Sequence, residues 1–358
     1  MMKHTCLLLA LLIALALSTS AGADSWSQIN QSIEKEEGWQ QIIVDSSFAL
    51  GESHPVTLAD GKAYVQKQYG CYPRLDGSTV MVPMAVEFAR QHLGLSEADL
   101  GSFVTFSTTH NAYLNLIQSS SGGSSVLVTK NEWMDISRPV DLMLGTEPSD
   151  EEIALAESLG VTLVKKPVCY DAFVFITHVS NPVESLTLDE IRAIYRGEIT
   201  NWQELGGNDA AIEAYQRDQN SGSQTAMENL VMQGETILSS QTVGIYFVGE
   251  MSALVSKIGG YSSTENGIGY TYKYYIDELY RDEAVKVLAI DGVYPDDESI
   301  RSGDYPLATQ YYGVIREGDE EEAGGLFLDW ILSEEGQRCV AQAGYIPCHI
   351  VDGDRVGE

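Results

Sequence analysis

The stretch "VTLVKKPVCYDAFVFITH", residues 161–178, constrains the fold more than any other part of the chain. It is a run of β-branched and aromatic residues, the side chains that suit a pleated strand. It also exceeds the roughly three to ten residues of an ordinary strand, so it is long enough to pass from one lobe of a molecule to another. Around it, extended and helical patterns alternate. "CYPRLDGSTVMVPMAVEFARQHLG" reads as a short strand, a Gly-Ser-Thr turn and a helix from about Pro83 to His92. "GSFVTFSTTHNAYLNLIQ" repeats that plan, and a low-complexity loop, "SSSGGSS" at 119–125, follows it. Two capping boxes mark further helices, Ser149 with Glu152 and Thr187 with Glu190, with stops at Gly160 and Gly197. The segment "GGLFLDWILSEEGQRCVAQAG" reads as one closing amphipathic helix. Strands alternating with helices throughout predict an α/β fold with parallel or mixed sheets.

The N-terminus carries Lys3, the apolar run Cys6–Leu17 and then Ala21-Gly22-Ala23. A charged start, a hydrophobic centre and an A-x-A site predict a signal peptide over 1–23. Its twelve apolar residues are short for a membrane span. Residues 24–70 read as a polar N-terminal extension with a strand at "QQIIVDSSFAL". No cysteine follows the apolar run where a lipid anchor would need one. The formal charge of −31 becomes −32 once Lys3 is removed. Such a surface repels nucleic acid and anionic lipid and favours solubility, which excludes a general nucleic-acid role.

Cys71, Cys169, Cys339 and Cys348 remain after cleavage. An even number in an exported chain points to two disulfides, with three connectivities open. Cys339 with Cys348, close in sequence across Gly344, is the favoured pair, leaving Cys71 with Cys169. Four buried thiols are the alternative. A metal site is disfavoured, since Cys348-His349 is the only close Cys/His pair.

Three turns share one design. Ser78-Thr79, Thr108-Thr109 and Ser221-Gly222-Ser223 each sit between an extended segment and a helix, and Arg217 lies just upstream of the third. A helix start offers unpaired N–H groups and partial positive charge, hydroxyls add donors, and glycine allows close approach. A Ser or Thr there is often only a cap, but three such turns and an arginine point to a shared tetrahedral oxyanion site. Enzymatic readings have less support. "NSGSQ" is not a G-x-S-x-G elbow, His110 lacks motif context, and no Walker loop, H-E-x-x-H or C-x-x-C occurs.

These residues carry a family resemblance. "DGSTVMVPMAVEFA", "DLMLGTEPSDEEIALAESLGV", "DAFVFITHVSNPVESLTLDEIRAIYRGEITNWQELGG", "QRDQNSGSQTAM", "GIGYTY", "YPLATQYYGVI" and "FLDWILSEEGQRCVAQAGYIP" occur in order over most of 72–347. In this the chain resembles the substrate-binding proteins of phosphate ABC transporters, within the type II periplasmic-binding-protein superfamily. The resemblance implies two α/β lobes with mixed sheets flanked by helices and a ligand cleft between them. Lobe one would be 71–170 with 271–358, and lobe two 171–270. It implies phosphate contacts from Ser78, Thr79, Thr108 and Thr109, and from Arg217, Ser221, Gly222 and Ser223, with serine at 223 in place of the usual threonine. Glu147 falls where some relatives carry an aspartate that accepts a hydrogen bond from protonated phosphate, and Arg138, in "SRP" at 137–139, is the alternative at that position.

The expected protein is a monomeric, non-catalytic binding protein without a cofactor, exported to a periplasm or a cell surface. Its expected partners are inorganic phosphate and a membrane permease. The rival readings are a binder or sensor of another oxyanion, a secreted phosphoester-acting enzyme, and an adhesion scaffold without ligand.

Overall fold

The computed structural model describes residues 55–57, 63–65, 72–93, 100, 104, 106–118, 140–238, 244–248, 251–259 and 266–349. The expected signal peptide, the strand in "QQIIVDSSFAL", Cys71, the Ser/Gly loop and Arg138 lie outside them.

The first described elements are a small antiparallel pair, β1 (Pro55–Thr57) and β2 (Ala63–Val65). Then come β3 (Leu75–Gly77), a 3-10 turn at Thr79–Met81, α1 (Val82–Leu93), α2 (Thr109–Gln118), β4 (Leu142–Gly145) and α3 (Asp150–Ser158). β5 (Leu163–His178) is the long run expected at 161–178, and it is the longest of the described strands. It is followed by β6 (Ser185–Leu186), α4 (Leu188–Tyr195), β7 (Glu213–Gln216) and α5 (Gly222–Ala226), which continues as a π-helical stretch to Met232. Next are β8 (Ile245–Phe247), α6 (Met251–Gly259), β9 (Gly267–Tyr272), β10 (Val285–Val287), β11 (Ala289–Ile290) and α7 (Asp297–Ser302). β12 (Ala308–Arg316), α8 (Ala323–Ile331), α9 (Glu334–Gln342) and β13 (Ile346–Pro347) complete the order.

Contacts divide the chain into two compact units, Met1–Cys169 with Tyr311–Glu358, and Tyr170–Gln310. β5 and β12 are the strands that carry the chain across these boundaries. Residues 271–310, expected with lobe one, group with the second unit. Pairing explains this: β10 runs antiparallel to the far end of β5, with Val285 opposite His178, and Tyr305 donates its hydroxyl hydrogen to Phe173 O at 3.1 Å.

In the first unit β3 lies parallel to β4, with Leu75 beside Leu142 and Gly77 beside Leu144. β12 is antiparallel on the other side of β4, and the strand order is β3-β4-β12-β5. All four residues of β4 are buried, as a central strand covered on both faces requires. Tyr113, Leu116 and Ile117 from α2 pack with Met143 and Val314 as one core cluster. Phe88, His92, Phe327 and Trp330 form an aromatic cluster that joins α1 to α8. Burial there lowers the His92 pKa to about 4, so the ring is neutral.

The second unit is built on β5-β9-β7-β8. β5 and β9 are antiparallel, Phe173 opposite Tyr272, while β7 is parallel to both β9 and β8. Phe173, Phe175, Tyr195 and Tyr270 fill its core edge to face or tilted. Among the described residues no helix is long and apolar enough to cross a membrane.

Both capping boxes form as the spacing predicts. Ser149 N–H donates to Glu152 at 2.7 Å, and Thr187 N–H to Glu190 at 2.8 Å. The closing helix is instead two helices. Ser333 takes extended backbone, φ −71° and ψ 166°, and caps α9 by accepting from Gly336 N–H. The expected Cys339–Cys348 disulfide is also corrected, because Cys339 holds a free, buried thiol. Its neighbour explains why. Cys348 N–H is tethered to Gln337 Oε1 at 2.7 Å, and a residue two positions before Cys339 leaves the helix about 200° around from it. The Cys71–Cys169 pairing falls on a residue outside the described set.

Gly77 closes β3 where no side chain fits, since a Cβ would lie 2.0 Å from Leu144 O. Gly77→Ala is expected to destabilise the protein by about 1–3 kcal/mol, the usual range for overpacking. Urea unfolding should show this as a lower midpoint at unchanged slope.

Candidate functional site

The parallel strands β3 and β4 end side by side, and the first two predicted turns gather at that end of the first unit. Ser78 N–H donates to Leu144 O at 2.9 Å, and the Ser78 Cβ lies 3.6 Å from where a Gly145 Cβ would be. Ser78 has extended backbone and starts the 3-10 turn, yet its hydroxyl caps nothing. Thr79 is the first residue of that turn.

The second turn is fastened to the first by a residue that sequence reasoning missed. The Asp76 carboxylate, 6% exposed, accepts from Gly77 N–H, Ser107 N–H, Ser107 Oγ–H and Asn115 Nδ2–H at 2.6–2.8 Å. Burial raises its pKa, and these four donors oppose the shift. Gly77 N–H, Ser107 N–H and the Asn115 Nδ2–H group can only donate, so the arrangement fits an ionised carboxylate. Thr108, next along, has φ +78°. A β-branched residue there is a backbone outlier, costing about 1–3 kcal/mol, and such strain clusters at functional sites. Its carbonyl accepts from Ala112 N–H at 2.9 Å. Thr108 is exposed and Thr109 buried.

Glu147 stands in an ion pair. Its carboxylate pairs with Lys165 on β5, whose ammonium lies 5.0 Å above the Tyr312 ring. The Tyr312 phenol is pushed up to about 12, first by burial and then by Glu147. With both partners more than 40% exposed, this pair contributes little to stability.

In the second unit Arg217 follows β7. Its N–H donates to Tyr270 Oη at 3.0 Å and to Gln224 Oε1 at 3.3 Å, and Tyr270 Oη–H donates to the same Gln224 oxygen. Ser221 caps α5 by accepting from Gln224 N–H at 3.3 Å. Asn220 just before it is left-handed, φ +64°. Gly222 O accepts from Tyr272 Oη–H at 3.1 Å. Ser223 is 2% exposed, with its hydroxyl 3.9 Å from Met251 Sδ. The Arg217 main chain and Ser221 are therefore tied together through Gln224 and Tyr270. A capping hydroxyl that accepts through oxygen keeps its own hydrogen to donate, so Ser221 can cap and hold an anion together.

His110 is also occupied. Its Nδ1 lies 2.7 Å from Oε1 of Glu152, which is 1% exposed. That hydrogen bond raises the imidazole above its ordinary 6.5, burial opposing it and the charges of Glu152 and Glu151 adding to it.

The chain belongs to the PBP superfamily: the family's domain model matches residues 95–335. It is similar to the phosphate-binding protein PstS of Borreliella burgdorferi, 28% identical over 182 residues, covering 49% of this chain and 63% of that one. It is similar also to the phosphate-binding protein PstS of Bacillus subtilis, 32% identical over 169 residues, covering 46% of this chain and 51% of that one. Those matches therefore span less than two thirds of the relatives' own length. A solved structure from Clostridium perfringens, described as a phosphate ABC transporter substrate-binding protein with bound phosphate, is similar at TM-score 0.55 and 28% identity. It covers 77% of this chain and 99% of its own.

Because the folded imidazole of His110 titrates above its unfolded value, its contribution is complete below pH 6.5 and is lost as pH rises through the folded pKa. Urea melts from about pH 5.5 to 8.5 should show stability falling over that window. His110→Ala should flatten that slope.

Proposed function

We propose that this chain is an exported, non-catalytic solute-binding protein that captures inorganic phosphate and passes it to an ABC-type permease. In the first unit, Ser78, Thr79, Thr108 and Thr109 supply hydroxyl and main-chain donors. In the second, Arg217 supplies the fixed charge, and Ser221, Gly222 and Ser223 supply further donors. The observation that carries the reading is the state of the hydroxyls. Ser78 stands at a helix start and caps nothing, while Ser221 caps only through its oxygen. Both keep a hydrogen for an oxyanion, which can only accept from them when fully ionised. Membership of the PBP superfamily and the likeness to a protein solved with bound phosphate support the same ligand class. Glu147, engaged with Lys165, is not assigned a ligand contact in this reading, and Arg138 remains the alternative at that position.

Isothermal calorimetry with inorganic phosphate is expected to show binding that Arg217→Ala weakens at least about tenfold, the scale of one lost charge-assisted contact. Phosphate should also raise the melting temperature, as a ligand of the native state does. Sulfate, molybdate and phosphonate in competition separate phosphate from other oxyanions. Absence of binding at millimolar phosphate overturns the proposal.

A further inference from the structure

β4 ends at Gly145, and the next side chain is Thr146, which is 5% exposed. Its Oγ1 is shielded from solvent and has no hydrogen-bond partner among the described residues. Buried hydroxyls are normally bonded, because an unmade bond forfeits hydration without return, so an orphan of this kind calls for an explanation. Valine has nearly the same shape and would fill the position without that cost.

The place of the orphan supplies the explanation. The parallel register sets Gly77 beside Leu144, and the Cβ of the next residue, Ser78, lies 3.6 Å from where a Gly145 Cβ would be. The main-chain carbonyl of Thr146 accepts from Tyr113 Oη–H at 2.7 Å, and Tyr113 belongs to α2, which starts at Thr109. Thr146 thus directly follows the residue that neighbours Ser78, and Tyr113 ties its carbonyl to the helix of the Thr108-Thr109 turn. In open α/β sheets ligands bind outside the carboxyl ends of the strands, and Thr146 is the first residue beyond that end of β4.

We propose that Thr146 Oγ1 is a phosphate ligand of the first unit, and that Thr146, not Glu147, is the contribution of β4 to the anion site. The inference rests on the phosphate-binding reading above. A threonine hydroxyl donates to a bare phosphate oxygen and accepts from a protonated one, so it serves either ionisation state of the ligand.

The test is calorimetry with inorganic phosphate on wild type, Thr146→Val, Thr146→Ala and Thr146→Ser, with melts of each in the absence of phosphate. Thr146→Val should lose roughly five- to tenfold in affinity, the scale of one hydrogen bond, while melting at or above the wild-type temperature. Thr146→Ser should keep most of the affinity, and Thr146→Ala should lose it as valine does. Thr271 provides the control: its Oγ1 is another buried orphan, but it lies within β9 opposite Val174, and Thr271→Val should leave affinity unchanged. Wild-type affinity in Thr146→Val, or in the alanine variant where valine fails to fold, overturns this inference and leaves the phosphate reading standing. A phosphate-free melt of Thr146→Val below wild type assigns the hydroxyl a structural role and overturns it too. A wild-type protein that binds no phosphate overturns the reading beneath it.

Discussion

The buried carboxylate of Asp76 is the interaction on which the first unit's donor turns depend. Removing a carboxylate from water costs several kcal/mol. Hydrogen bonds to a charged group return about 1.5–3 kcal/mol each, and Asp76 collects four. Burial still outweighs them, so the pKa stays raised, and the charge is tolerated only while all four donors hold their positions. Two of those donors come from Ser107, immediately before the strained Thr108, and one from Asn115 on α2. The carboxylate therefore orders three segments at once: the end of β3, the turn at 107–109 and the helix that follows. The left-handed conformation of Thr108 persists because it is fixed from both sides, by Asp76 through Ser107 and by Ala112 through its carbonyl.

The second unit reaches a comparable result with neutral groups. Gln224 accepts from Tyr270 and from the Arg217 main chain through one oxygen, and its amide nitrogen donates to Glu228 at 2.9 Å. An amide has both donor and acceptor ends, so it can link a tyrosine, a strand end and a helix without burying a charge. Tyr270 belongs to β9 and is held by Phe173 and Tyr195. The position of Arg217 is thereby coupled to the aromatic core of its own unit, and a single hydrogen bond joins that core to the Arg217 main chain.

Which parts of this were legible in the sequence follows from how far apart the partners lie. The capping boxes were readable because Ser149 and Glu152, or Thr187 and Glu190, are three residues apart. The strand-turn-helix motifs were readable for the same reason, and so was the length of β5. Asp76 was not, although it directly precedes Gly77-Ser78-Thr79: its partners lie 31 and 39 residues away. Glu147 was read through its neighbours, while its actual partner, Lys165, is 18 residues on. Thr146 offers no sequence signal, because an unmade hydrogen bond exists only in three dimensions. The break between α8 and α9 was legible in principle, since Ser333-Glu334-Glu335 is a helix-start pattern, but the continuous apolar periodicity outweighed it.

An acidic chain, formally −31, can hold an anion only if short-range donors outweigh the field of its own carboxylates. Screening helps, because the field of exposed charges decays over about 8 Å at physiological ionic strength. A hydroxyl or amide hydrogen acts at contact distance and is hardly affected by that field. The devices seen here fit that requirement. Asp76 fixes Ser107, Tyr113 fixes the Thr146 carbonyl, and Tyr270 and Gln224 fix the Arg217 main chain, all through groups of the protein itself. Donors ordered in advance do not lose conformational freedom when the anion arrives, so more of each contact's energy remains as affinity. The strain at Thr108 and the orphan hydroxyl of Thr146 fit the same account, as costs carried by the folded protein that a bound oxyanion can offset.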